Sequence, residues 1–251
     1  MADQLINYTL NLADNALILA QRNSEWCGHG PVLEQDIAIT NISLDLIGQA
    51  RNFYQYAASL LGNNATEDSL AYLRTEREFK NLLLVEQPNG DWAVTILRQF
   101  FFSAYQYFFY QQLQNSSDTQ LAAIAEKSLK EVTYHLRWSS EWVIRLGDGT
   151  EESKDRMLAA IDELWRYTGE LFTPASYEVA AANKGFGVNI VLIKETWNSK
   201  VRSVFEEAGL PFPKENIYMQ LGGKDGMHTE HLGYILAELQ YLQRTYPGCE
   251  W

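Results

Sequence analysis

The sequence is poor in everything that interrupts or cross-links a helix. Its 251 residues include only six prolines, at positions 31, 88, 174, 211, 213 and 247. Long stretches are therefore free of the ring that removes a helix hydrogen bond. The two cysteines, Cys27 and Cys249, form no metal or redox motif and are expected to stay reduced. No polar-apolar alternation is sustained between turn signals, which leaves no basis for strands. No run of about 18 uncharged apolar residues occurs, so no segment is expected to span a bilayer. The start, MADQLINYTLNLADNALILAQ, has no basic region and carries Asp3 and Asp14, unlike a secretory signal. Positive charge is scarce as well. Twenty Lys and Arg face 32 Asp and Glu, giving a formal charge of −12 and a pI near 4.8. Such a surface repels phosphate backbones. Neither nucleic acid nor membrane is expected as a partner, and a cytoplasmic location is expected.

What is present fits an all-α protein. The 46% of hydrophobic residues suffices for one large domain with a full core, taken as residues 1–251. Breakers and caps divide the chain into helices of about 3–21, 33–61, 66–86, 91–114 and 119–147, then 151–172, 188–208 and 227–245. A shorter one falls between Ser176 and Asn183. Apolar stripes recur at alternating spacings of three and four. In the second helix they run through Ile39, Ile42, Leu46, Gln49, Phe53, Tyr56 and Leu60. In the fourth they run through Trp92, Ile96, Gln99, Ser103, Gln106, Tyr110 and Leu113, and in the fifth through Ala122, Ala125, Leu129, Val132, Leu136, Ser139, Val143 and Leu146. The first helix has a weaker stripe, Ile6, Thr9, Ala13, Ala16 and Ala20. Four long helices with compatible seams predict a four-helix core with additional helices around it.

Bundles of this size often house carboxylate-bridged di-iron sites, which take a Glu from each of two helices and a Glu-x-x-His from each of the other two. The i, i+3 spacing sets both ligands on one helix face. The four histidines, His29, His135, His228 and His231, have Trp26, Val132, Asp225 and His228 three residues before them. No Glu-x-x-His exists in the chain.

The segments SEWCGH, ISLDLIGQARNF, NLLLVEQPNGDW, KEVTYHLRWSSEW and GGKDGMHTEHLG, followed by LAELQYLQR and the final Trp251, resemble the smaller, structural ferritin-like subunits of bacterial phenylacetyl-CoA epoxidases. The resemblance runs the length of the chain. It implies a multicomponent oxygenase of aerobic phenylacetate breakdown. In that assembly a larger, related subunit holds the di-iron centre and binds the coenzyme A thioester, and a flavin and iron-sulfur reductase delivers electrons. It further implies that this chain pairs with the di-iron subunit and holds no cofactor itself, with the small and reductase components as further partners. Traced through the resemblance, the catalytic subunit's two Glu-x-x-His pairs fall on Leu46 with Gln49 and on Val132 with His135. Its two remaining acids fall on Ala16 and Ser103. Of these six vestigial positions, only His135 could still ligate a metal.

Other residues carry two readings each. His135 with Glu131 is a relic half-site or a core pair in which the carboxylate orients the imidazole. Asp45 and Arg51, beside the Leu46/Gln49 seam, are candidates with Glu131 and His135 for a buried polar network filling the former site. His228, Glu230 and His231 could offer two zinc ligands on one helix turn, or serve a helix start. The loop GGKDG lacks the full phosphate-loop pattern. The helix RQFFFSAYQYFFYQQ is aromatic on every face, so it is either covered by its own chain or docks a partner. Rival functions are an oxygenase subunit with an unusual metal site of its own, and a stand-alone helical regulatory protein that uses its core as a ligand pocket.

Overall fold

A computed structural model describes residues 2–214 and 217–249; Trp251 lies outside the described residues. The expected all-α, ferritin-like fold class holds, and no strand occurs among the described residues. Eleven α-helices are described: α1 Ala2–Ser24, α2 Leu33–Leu61, α3 Glu67–Tyr72, α4 Leu83–Glu86, α5 Trp92–Leu113, α6 Thr119–Gly147, α7 Glu151–Leu164, α8 Ser176–Asn183, α9 Lys194–Glu207, α10 Glu230–Leu239 and α11 Tyr241–Thr245. The chain divides into two compact units, one of residues 1–88 with 222–251 and the other of residues 89–221.

In the first unit, α1 and α2 form a long helical hairpin with the most extensive contacts of that unit. Its connecting loop is tied down by Asp36, whose Oδ2 accepts from the Gly30 amide at 3.0 Å. The amides of Gly30 and Gly28 hold the Asp36 carboxyl below the usual carboxylate range. The expected α1 seam is buried from Ile6 through Ala20, and so are Ile39, Ile42, Leu46, Gln49 and Phe53 of α2.

The expected third helix, 66–86, is instead broken. Thr66 caps α3 as predicted, in a reciprocal pair with Ser69, but the helix ends at Tyr72 and only a 3-10 turn at Glu76–Glu78 and the single turn of α4 follow. The reason lies in α1. Asn11 Nδ2 donates to the Lys80 carbonyl at 2.7 Å, the Lys80 amide donates to Asp14 at 2.8 Å, and the Leu82 amide donates to Asn15 Oδ1 at 2.8 Å. Side chains of one helix thus satisfy backbone groups that a continuous helix would have kept for itself.

In the second unit, α5 and α6 form the principal hairpin, with α7 and α9 packed on it. Asp91 caps α5 through the Ala93 and Val94 amides, and Asp118 caps α6 through those of Gln120 and Leu121. The other expected long helices are each interrupted. The first passes into a 3-10 stretch at Trp165–Phe172, the second opens with one at Ile190–Ile193, and the last is split after Leu239.

The aromatic helix is covered by its own unit. Phe100, Phe101, Phe102, Tyr105, Phe109 and Tyr110 are buried. Phe101 lies 5.6 Å from both Trp165 and Trp197, ring centre to centre, and accepts the Trp197 indole N–H on its carbonyl at 3.0 Å. These separations are those of favourable tilted and edge-on aromatic pairs. The reading in which the chain covers its own aromatic helix thus holds for these six rings, while Tyr107 and Phe108 are only half-buried.

Candidate functional site

The six positions that the resemblance marks as former metal ligands are all buried. In the first unit, Ala16 of α1 and Leu46 and Gln49 of α2 are at most 1% exposed. In the second, Ser103 of α5 and Val132 and His135 of α6 are fully buried. The α5 seam carries neutral hydrogen-bonded pairs. Gln99 Nε2 donates to Ser103 Oγ at 2.8 Å, and one turn on, Gln106 Nε2 donates to the Tyr110 hydroxyl at 3.4 Å. Burial pushes the Tyr110 phenol well above its ordinary value, opposed by Gln106 and assisted by Glu131. Glu131, one turn before His135, is half-buried. The six positions offer one imidazole nitrogen and no carboxylate, which does not fit a carboxylate-bridged pair of iron ions. Among the described residues, no group of three or more His, Cys, Asp or Glu could hold a metal ion.

Two of the expected network residues lie elsewhere. Arg51 is corrected to a surface residue: its side chain is 68% exposed and pairs with Glu67 at 3.4 Å. Asp45, on a different face of α2 from Leu46, is half-buried. The 100° step between successive helix residues turns both away from the seam.

Two buried charge networks in the first unit were missed by sequence reasoning. At the first, Asp14 is fully buried and its carboxylate accepts from both terminal nitrogens of Arg74, from the Tyr54 hydroxyl at 2.6 Å and from the Lys80 amide. Arg74 also lies over the Phe79 ring, 4.3 Å from its centre. Burial works most strongly against the charge on Arg74, but Asp14, Tyr54 and Glu78 together more than offset it. Burial, then the same carboxylate, push the Tyr54 phenol well above its usual value.

At the second, Glu86 is fully buried. Its Oε2 meets His228 Nδ1 at 2.8 Å and accepts from Asn81 Nδ2, also at 2.8 Å. Its Oε1 accepts from the Thr229 amide and hydroxyl, both at 2.7 Å. The other nitrogen of His228, Nε2, donates to the Phe79 carbonyl at 3.0 Å. With both ring nitrogens engaged, His228 has none left for zinc, so the expected His-x-x-His alternative gives way to the structural reading. The adjacent GGKDG loop serves close packing. A side chain on Gly223 or Gly226 would overlap the Asn81 or Arg77 carbonyl oxygen, and Lys224 is buried rather than offered to a phosphate. A signal for these networks existed. Asp14 and Glu86 adjoin the apolar runs Ala16–Ala20 and Leu82–Val85, where a charge must find a partner.

Fold and seam together define an all-α protein of the ferritin-like class, built on long helical hairpins. The chain belongs to the phenylacetic acid catabolic protein family, whose model matches residues 1–251. It is 51% identical over 249 residues, 99% of this chain and the whole of its relative, to a protein of Escherichia coli (strain K12) named as a subunit of 1,2-phenylacetyl-CoA epoxidase. Among the described residues, no helix is long and apolar enough to cross a membrane.

Proposed function

We propose that this chain is the non-catalytic, structural subunit of a phenylacetyl-CoA epoxidase of aerobic phenylacetate catabolism, and that it binds and stabilises the di-iron subunit of that complex. The relative's name and family membership support the assignment to the complex. The observation that carries the non-catalytic reading is the absence of any carboxylate at the six buried seam positions. Neutral and apolar side chains at those positions supply no anionic ligand, and holding iron against them in a low-dielectric interior is strongly unfavourable. The fully buried carboxylates of Asp14 and Glu86 are already committed to Arg74 and to His228 with Thr229. In this reading, oxygen activation and substrate binding take place on the partner. This subunit supplies rigid helical surface that holds the partner's metal-bearing helices in place.

The test is iron per chain after anaerobic loading of the purified protein with Fe(II), followed by epoxidation assays with and without the di-iron subunit. Near-zero iron, and activity only in the reconstituted mixture, are expected. Close to two irons per chain would overturn the reading.

A further inference from the structure

The second helix carries two apolar stripes, and only one of them is used inside the chain. Opposite the buried seam of Ile39, Ile42, Leu46 and Gln49, residues Leu33, Ile37, Thr40, Leu44, Ile47 and Arg51 follow each other at steps of four and three. That is the spacing of a coiled-coil seam. Leu33 is 71% exposed, Ile37 52%, Leu44 60% and Ile47 37%. Four large aliphatic side chains therefore form a line about 21 Å long, at 1.5 Å per residue, which this chain leaves bare. A hollow of about 220 Å³ opens at its far end beside Ile47, Arg51 and Tyr72.

Gly48 sits in the same face, next to Leu44. Glycine inside a helix is destabilising relative to alanine, and a glycine is usually kept there because something packs against it. Here a Cβ would meet nothing within 4 Å, and the backbone needs no positive φ. Nothing within the chain accounts for the missing methyl. It leaves a shallow notch in which a second backbone could lie close to α2.

The flank of this stripe selects the occupant. Glu34, Asn41, Asp45 and Asn52 line one side, and Arg51 is the only basic residue in α2, already paired with Glu67. Two copies of a chain of charge −12 facing each other here would set acid against acid. A helix with basic flanks would be attracted instead.

We infer that the outer face of α2, with Leu44 and Gly48 at its centre, docks an amphipathic helix with Lys- or Arg-bearing flanks from the di-iron subunit. This rests on the proposed function, whose partner it locates.

The experiment measures affinity between the purified chain and the di-iron subunit of the same organism's phenylacetyl-CoA epoxidase, for wild type, Leu44→Glu and Gly48→Ala, with Tm recorded for each chain alone. The expected result is a loss of about 100-fold for Leu44→Glu and about tenfold for Gly48→Ala. The Tm of Gly48→Ala should be equal to or above that of wild type, and wild-type binding should weaken as salt is raised. A helix that gains stability while losing its partner cannot be explained by misfolding. If wild type binds and both variants bind within about twofold of it, the location is wrong while the proposed function stands. If wild type does not bind, the proposed function fails and this inference with it. Sedimentation showing a wild-type homodimer that Leu44→Glu dissolves would assign the face to a second copy and overturn the inference.

Discussion

Arg74 and Asp14 illustrate how costly a single unpaired charge would be in this protein. The two are buried together, and both terminal nitrogens of the guanidinium donate to the carboxylate. Replacing Arg74 by Met leaves the Asp14 carboxylate facing only the Tyr54 hydroxyl and the Lys80 amide. This should cost about 3–5 kcal/mol in chemical denaturation. Adding Asp14→Leu should recover part of that loss, because a neutral pair needs no compensation. A double variant as unstable as the sum of its parts would show that packing, not charge, dominates here. Tyr54 makes a separate prediction in alkaline solution. Its phenol is held above the ordinary value of 10.0 in the folded chain, by burial first and by Asp14 second. The unfolded chain therefore releases this proton first. The contribution is complete below pH 10 and is lost as pH rises above it. Tyr54→Phe should flatten the fall in stability between about pH 9 and 11. An unchanged slope would place the alkaline sensitivity on other groups, such as Tyr110.

At the scale of elements, Glu86 acts as the anchor for the segment that runs from the GGKDG loop into α10. Its carboxylate joins the single turn of α4 to His228 and Thr229, and the Phe79 carbonyl holds the same imidazole from the other side. Arg22 of α1 donates twice to the Glu86 carbonyl, at 3.1 and 2.9 Å. Glu86→Ala should cost about 3–5 kcal/mol and should raise hydrogen exchange selectively in residues 227–239, while α5 and α6 stay protected. Uniform loss of protection would mean that the anchor stabilises the whole chain rather than this segment. These same elements mark the boundary of what is legible in the sequence. The limits of α2 and α8 and the caps of α3, α5 and α6 follow from local chemistry, because a cap or a glycine acts within one turn. The break at 73–82 does not, because its cause is Asn11, Asp14 and Asn15, between 66 and 69 residues away in the chain. Apolar periodicity reveals the core stripe of α2. It passes over the second stripe at Leu33, Ile37, Leu44 and Ile47, because a periodic run does not say which of its faces the chain will cover.

For the molecule as a whole, the site is legible mainly as an absence. Missing Glu-x-x-His pairs and apolar or neutral residues at the traced positions can be read directly, since a ligand set must be present in the sequence before it can fold. The buried polar groups that the chain does hold cannot be read that way. The expected network of Asp45, Arg51, Glu131 and His135 places Arg51 inside, where its 68% exposure contradicts it. The two fully buried carboxylates of the first unit, Asp14 and Glu86, find partners far along the chain, which no local pattern announces. The division of the chain has a consequence for its synthesis. The first unit is discontinuous: residues 1–88 require 222–251 to complete them, and the 133 residues of the other unit come in between. On a ribosome adding about 5–20 residues per second, His228 emerges roughly 7–28 s after Pro88. For that interval Glu86 has been made but lacks its imidazole partner, whereas the α5–α6 hairpin is already out with its own contacts available. The earliest-made part of this protein is thus the last to be finished, and a nascent chain cut short before residue 228 carries an acid with no counterpart.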